Sequence, residues 1–364
     1  MNRIRAWAVQ NNFSRPLPLP EAIEQLGFVQ ADPIRSPARA QDLILRHRVP
    51  AYRAGDLEAA YPAHDLEEDF FYAYGFLPRS TWRLLHPKTP GTLNAMERRV
   101  YELVRQLGEV HPSALGEHLG TRRAVNAWGG YSTASTRALH YLHWYGMLRV
   151  SRREKGTRVY MPARPAEATM PDDERLRRAV MLLARIFAPV SEASLRQMLA
   201  HLKYCHLPTA RTKPALAELV KTGELVKTEA DGVTYLRPTD FPATPDEPPA
   251  RVRSLAPFDP LVWDRRRFEH LWGWAYRFEA YTPAPKRKLG YYAMPLLWRD
   301  RIVGWVNATV TGGKLEAEAG FARSRPRDRE FLRAYEEEVA SLAQFLECEA
   351  ANLARVRLRA RSAR

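Results

Sequence analysis

Met147-Leu148-Arg149-Val150-Ser151-Arg152-Arg153-Glu154-Lys155-Gly156-Thr157-Arg158-Val159-Tyr160 is the stretch that decides the fold of this chain. It reads as two short strands around a basic, Gly-containing loop, which is a β-hairpin. Three helical patterns precede it. Glu97 to Leu107 carries Val100, Leu103, Val104 and Leu107 at helical spacing. His111-Pro112-Ser113 opens a second helix through Leu119, and Ser132-Thr133-Ala134-Ser135-Thr136 opens a third that runs through Leu139, Leu142 and Trp144 to Gly146. Three helices and a hairpin make a winged helix. The third helix suits a nucleic-acid groove, and Arg152, Arg153, Lys155 and Arg158 of the wing suit phosphates.

Downstream the plan recurs. Glu174 to Phe187 is a helix, Ser191-Glu192-Ala193-Ser194 starts another that ends near Leu199, and Thr209 to Thr222 is a third, stopped by Gly223. Leu225 to Leu236 is the hairpin, with the turn dipeptide Asp231-Gly232 at its tip. Glu229 and Asp231 make this wing less basic, so the repeat is expected to be more structural than DNA-reading.

Upstream, Arg3 to Val9 and Glu21 to Leu26 read as helices separated by Pro16, Pro18 and Pro20. Ser36-Pro37 is expected to start a third helix, with Ser36 as N-cap and Pro37 in the first turn, running to Arg48. It would carry Arg39, Gln41, Arg46 and Arg48 around Leu43, Ile44 and Leu45. The aromatic block Phe70, Phe71, Tyr72, Tyr74, Phe76 reads as core in preference to a base-stacking platform.

Beyond the proline-rich linker 241–249 the pattern turns to strands at 253–255, 278–281, 290–297, 301–310 and 314–318, with Gly312-Gly313 as a second hairpin turn. Leu332, Tyr335, Val339, Leu342 and Leu346 then mark a closing helix. The expected class is α+β: winged-helix modules at 1–95, 96–168 and 169–240, a small β-barrel-like domain at 250–352 with its closing helix, and a basic tail at 353–364 that holds Arg355, Arg357, Arg359, Arg361 and Arg364.

A formal net charge of +15 over 364 residues points to a polyanionic partner, nucleic acid ahead of an acidic membrane surface. No apolar run is long enough to span a bilayer. The first residues lack a signal-peptide pattern, and two distant cysteines, Cys205 and Cys348, suit a reducing cytoplasm. Neither a zinc-ligand spacing nor a phosphate-cradling Gly loop is seen.

One short stretch carries chemistry of its own. In Leu26-Gly27-Phe28-Val29-Gln30-Ala31-Asp32-Pro33-Ile34, Gly27 can cap a helix and Pro33 pushes Asp32 into extended backbone. Residues i and i+2 of an extended piece point to one side, so Gln30 and Asp32 are aimed together. Asp before Pro is also a common turn residue, and that reading stands beside the chemical one. Arg35, Arg39, Arg46 and Arg48 flank the pair as candidate phosphate contacts or as a solvated face, and Lys286 and Arg287 could grip backbone from between later strands.

Taken together, Gln30-Ala31-Asp32 after the Gly27-Phe28-Val29 turn, Trp128-Gly129-Gly130, and the run from Ser254-Leu255-Ala256-Pro257-Phe258-Asp259 through Leu261-Val262-Trp263-Asp264-Arg265 resemble the winged-helix DNA glycosylases of the AlkZ and YcaQ type. Tyr281-Thr282-Pro283, Gly290-Tyr291-Tyr292 and Met294-Pro295 extend the likeness. The resemblance implies tandem winged helices around a DNA-binding concavity. It implies hydrolysis of the N-glycosidic bond of alkylated purines, chiefly N7-alkylguanine, and unhooking of interstrand crosslinks. It further implies that Gln30 and Asp32 are catalytic, in the Gln-apolar-Asp branch. Two places depart from the family pattern, Tyr72-Ala73-Tyr74 and Gly304-Trp305-Val306-Asn307. The expected partner is double-stranded DNA with alkylated bases or crosslinks, bound by a monomer at the nucleoid, without metal or cofactor. The competing reading is a non-catalytic winged-helix DNA-binding protein such as a transcriptional regulator, for which the Gln30–Asp32 pair has no obvious use.

Overall fold

The structure is a computed structural model that describes residues 1–120, 123–125, 131–164, 170–322 and 326–349. Trp128-Gly129-Gly130 and the arginine-rich tail lie outside the described residues. The chain starts with α1 (Asn2–Phe13) and α2 (Leu19–Leu26). Gly27 closes α2 in the left-handed conformation at φ 64°, and its N–H bonds back to the carbonyls of Ile23 and Glu24. The backbone then extends as β1 (Val29–Gln30).

The next helix corrects the expectation drawn from Ser36-Pro37. It is short, α3 (Ala40–Leu45), with Arg39 at its N-cap. Ser36 turns its N–H onto the carbonyl of Ala38, so residues 36–39 close a loop before the helix can begin. Every residue of α3 is buried, so it is a core helix rather than a basic helix with a solvated face.

After α4 (Asp56–Ala60), a hairpin of β2 (Leu66–Phe70) and β3 (Tyr74–Pro78) leads into α5 (Arg79–Leu85). The antiparallel sheet has the order β1-β3-β2, which places Gln30 opposite Gly75. Of the aromatic block, Phe71, Tyr72 and Phe76 are core, whereas Phe70 and Tyr74 are only partly buried. At Gly75 a Cβ would lie 2.3 Å from the Val29 carbonyl oxygen and 2.6 Å from the Phe28 ring. Backbone cannot give way as a side chain does. Gly75→Ala should therefore destabilise the protein by about 1–3 kcal/mol, read as a lowered urea midpoint at unchanged slope.

The middle segment contains α6 (Ala95–Leu107), α7 (Ala114–Leu119), the short pair β4 (Arg123–Val125) and β5 (Tyr131–Thr133), α8 (Ala134–Trp144), and the hairpin β6 (Leu148–Glu154) and β7 (Thr157–Pro162). Asn94 and Glu97 form a capping box at the start of α6, and Thr133 caps α8 through the Thr136 N–H. Lys155 and Gly156 turn the hairpin at φ 49° and 85°.

A third segment follows: α9 (Asp172–Ile186), β8 (Val190–Ser191), α10 (Glu192–Leu199), α11 (Thr212–Lys221), β9 (Leu225–Ala230) and β10 (Val233–Pro238). β8 pairs with β10, giving the order β8-β10-β9. Its helices bury Leu176, Phe187 and Leu195 in one cluster with Phe28, Phe71 and Tyr72. The β2–β3 hairpin, which carries β1 on its β3 edge, is thus packed on this segment.

The last segment has β11 (Val252–Ser254), α12 (Pro260–Trp263), α13 (Arg265–Trp272), β12 (Met294–Trp298), β13 (Arg301–Thr311), β14 (Lys314–Phe321) and α14 (Arg329–Phe345). Two expectations change here. Phe278 to Tyr281 is not a strand but a loop, in which Phe278 packs edge-on against Phe258 and Tyr292 at 5.1 and 5.3 Å. The sheet is antiparallel in the open order β11-β12-β13-β14, so it is a half-barrel rather than a closed one. α14 packs on β11 and β14 with Phe331, Tyr335, Val339 and Leu342 buried. Among the described residues no helix is long and apolar enough to cross a membrane.

Candidate active site

Gln30 and Asp32 leave the sheet at one point. The Gln30 backbone is in register with Gly75, and Ala31 donates its N–H to the Tyr74 carbonyl at 2.9 Å. Past that bond the strand ends. Asp32 Oδ1 accepts the Ile34 N–H at 2.9 Å, so the turn role foreseen for an Asp before Pro is real. It uses one oxygen only. The other has no hydrogen-bond partner among the described residues, and the half-buried carboxyl is raised above the usual aspartate range by desolvation, against the lowering pull of the Ile34 N–H.

Around this carboxylate the C-terminal segment supplies tyrosines. The hydroxyls of Tyr281 and Tyr292 are both pushed up, by burial first and then by the negative charge of Asp32. Tyr281 is 79 % exposed and Tyr292 only 2 %. The Tyr292 hydroxyl is buried and has no hydrogen-bond partner among the described residues. A cleft of about 400 Å³ adjoins, lined by Ser36, Arg287, Tyr291, Tyr292, Trp305 and Asn307 among others. Two of these, Trp305 and Asn307, belong to the stretch that departs from the family pattern. Tyr72, the other departure, lies behind Gln30: its ring is 4.6 Å from Phe28, 5.2 Å from Phe187 and 5.0 Å from Trp263.

Trp263 was not singled out from the sequence, although it lies in the run that carries the resemblance. Its indole N–H donates to Gln30 Oε1 at 2.9 Å. Tyr281 and Tyr292 were likewise quoted only as part of motifs. What could not be read was their partner, since each contact joins residues more than two hundred positions apart.

The expected phosphate contacts divide into two groups. Arg46 and Arg48 are inside the protein, which corrects their expected place on a DNA-facing surface. Arg46 donates to Glu338 at 2.8 Å, and Arg48 holds Asp259 with bonds of 2.8 and 3.2 Å. Burial alone would raise Glu338, but Arg46 and its other donors hold it down at about 2. Arg39 pairs with Glu58. Arg153 holds Glu68 at 2.6 Å, and Arg158 donates to the Tyr74 hydroxyl at 3.0 Å with its guanidinium over that ring. Arg287 donates to the Thr282 carbonyl at 2.8 Å and lies over Tyr291. Arg152 is part-exposed between Glu109 and Glu154. By contrast Arg35, Lys155 and Lys286 are exposed.

One of these carboxylates, Glu68, belongs to an acidic row on β2. Glu67, Glu68 and Asp69 are consecutive and all buried, since the strand is covered on both faces. Glu67 takes Arg79 at 2.8 Å and Arg149 at 3.2 Å, and Asp69 takes His86 at 2.5 Å and Lys88 at 3.3 Å. Desolvation opposes the charge on Asp69, yet Lys88 and His86 hold its carboxyl at about 2. Such charges are retained inside only when paired.

The half-buried carboxylate of Asp32, the tethered amide of Gln30 and the adjoining cleft thus sit together on a mixed α+β scaffold. The family model described as DNA glycosylase AlkZ-like matches residues 23–345, and this chain belongs to that family. Among solved structures it is similar to the DNA glycosylase AlkZ of Streptomyces sahachiroi, with a TM-score of 0.64 over 99 % of each chain at 15 % sequence identity. At that identity the likeness is one of fold.

Proposed function

We propose that this chain is a monofunctional DNA glycosylase that hydrolyses the N-glycosidic bond of N7-alkylated purines, crosslinked guanines included. The observation that carries the reading is Asp32 itself: a half-buried carboxylate with one oxygen fixed by the Ile34 N–H and the other without a hydrogen-bond partner among the described residues, two residues from a tethered glutamine. N7-alkylguanine is already cationic and leaves without much acid assistance. The demand falls on the sugar, where oxocarbenium character develops as in glycoside hydrolysis. A fixed carboxylate stabilises that charge and can orient the attacking water. Gln30 positions the same water or holds the sugar. In this reading the segments 1–95, 96–168 and 169–240 act as winged-helix modules that present duplex DNA to the pair, and the protein works as a monomer. The open cleft suits a crosslinked base, which cannot be extruded as a free one is.

The test is incubation of the protein with duplexes carrying N7-methylguanine or a nitrogen-mustard crosslink, with released base measured. Release is the expected result; tight binding without release would favour a DNA-binding regulator. Phosphate contact is assigned to the exposed cations Arg35, Lys155 and Lys286. Alanine at each should weaken duplex binding at all sequences and reduce the slope of log affinity against log salt by about one. An unchanged slope removes that residue from the interface.

A further inference from the structure

We infer that Trp263 is a positioning residue that holds Gln30 with its amide NH2 turned toward the reacting centre. The inference rests on the catalytic reading of Gln30 and Asp32. An indole N–H is a donor only, so the amide atom facing it at 2.9 Å is the oxygen. Nε2 is the end left over, and among the described residues it has no partner. Without such a tether a glutamine amide can present either end. With it, Gln30 presents a donor beside a carboxylate that can only accept. A water that accepts from Gln30 and donates to the unpartnered oxygen of Asp32 keeps a second lone pair for the anomeric carbon.

The tether is itself rigid. Trp263 ends the one-turn helix α12, whose start is capped by Asp259 through the Leu261 N–H at 3.0 Å. Asp259 is clamped by Arg48, and the Pro260 carbonyl is held by the buried Arg267 at 2.6 Å. The indole is wedged between Tyr72 and Phe187, at 5.0 and 5.4 Å between ring centres. On the other side Gln30 is fixed by its pairing with Gly75. Two over-determined elements thus meet at one hydrogen bond.

A double-mutant cycle tests this by single-turnover release from N7-methylguanine duplex, with DNA affinity measured in parallel. Trp263→Phe keeps the ring and removes the N–H. It should slow release about tenfold with DNA affinity unchanged. In a Gln30→Ala background the same substitution should add nothing. A slowing by the same factor in both backgrounds would overturn the inference, because Trp263 would then act through packing. A slow Gln30→Ala with an independent Trp263→Phe effect overturns this inference alone; full-rate Gln30→Ala and Asp32→Asn overturn the catalytic reading beneath it. A measurement that needs no Trp263 variant to fold is the indole N–H spectrum of wild type against Gln30→Ala. One of the nine tryptophan resonances should move upfield on loss of its acceptor, and a spectrum with none displaced contradicts the tether.

Discussion

Asp32→Asn is expected to lower base release by about 10²–10³-fold while leaving the protein folded and as stable as wild type or more so. The side chain keeps its shape and retains an oxygen to accept the Ile34 N–H. What is removed is the charge that the reaction would use. The sign of the stability effect follows from the raised carboxyl pKa, caused first by desolvation. A group whose folded pKa lies above its unfolded value is uncomfortable as an anion in the fold. Its charge lowers stability at neutral pH, and stability is regained as pH falls through the folded pKa. The Asn variant should therefore melt at or slightly above the wild-type temperature. The same displacement sets the activity profile. Wild-type release should fall on acidification from a pH above the ordinary aspartate pKa of about 3.9, and residual release by the variant should lack that limb. A folded Asn variant with wild-type release would remove Asp32 from the chemistry.

Arg48→Ala is expected to destabilise the protein by about 3–5 kcal/mol and to leave the salt dependence of DNA binding unchanged. The guanidinium holds both oxygens of Asp259, which is fully buried, and also bonds the Ile44 carbonyl at 2.7 Å and Asn12 Oδ1 at 3.0 Å. Its removal strands a carboxylate in the interior and empties the space beside Phe13. A urea titration reads the loss directly. A phosphate contact would behave in the opposite way, with stability kept and the salt slope reduced. Asp259 also caps α12, so the variant should slow base release through the displaced Trp263 even below its melting temperature.

How much of this was legible follows from the range of each interaction. Local signals were read well. Val100 and Val104 at helical spacing gave α6, the Asp231-Gly232 dipeptide gave the β9–β10 turn, and Gly27 gave the end of α2. Ser36-Pro37 misled because cap chemistry describes what a helix start tolerates, not where the core places one; the buried helix begins at Ala40. Phe278 to Tyr281 has strand composition, but the Phe278 ring is satisfied by Phe258 and Tyr292 in a loop. The arginines failed for a deeper reason. An Arg in a basic chain looks like a phosphate ligand until its partner is known, and the partners Asp259 and Glu338 lie at the other end of the sequence. The pairing of Gln30 with Trp263 was hidden by the same distance. Gln30 and Asp32 stand out locally as two polar groups on one side of a constrained segment, but that spacing alone reads equally as a turn, and their catalytic role comes from the resemblance.

The buried row Glu67-Glu68-Asp69 has a consequence for how this protein meets a duplex. Through Glu68 it holds Arg153 of the β6–β7 hairpin, and through Glu67 it holds Arg149 at the base of the same hairpin. That hairpin is therefore not an arm that folds down when DNA arrives. Its pose is set during folding, and the entropy of ordering it is already spent before encounter. Association should then resemble docking of a pre-shaped body, with little rearrangement on binding and an encounter rate governed by long-range attraction between the basic protein and the polyanion.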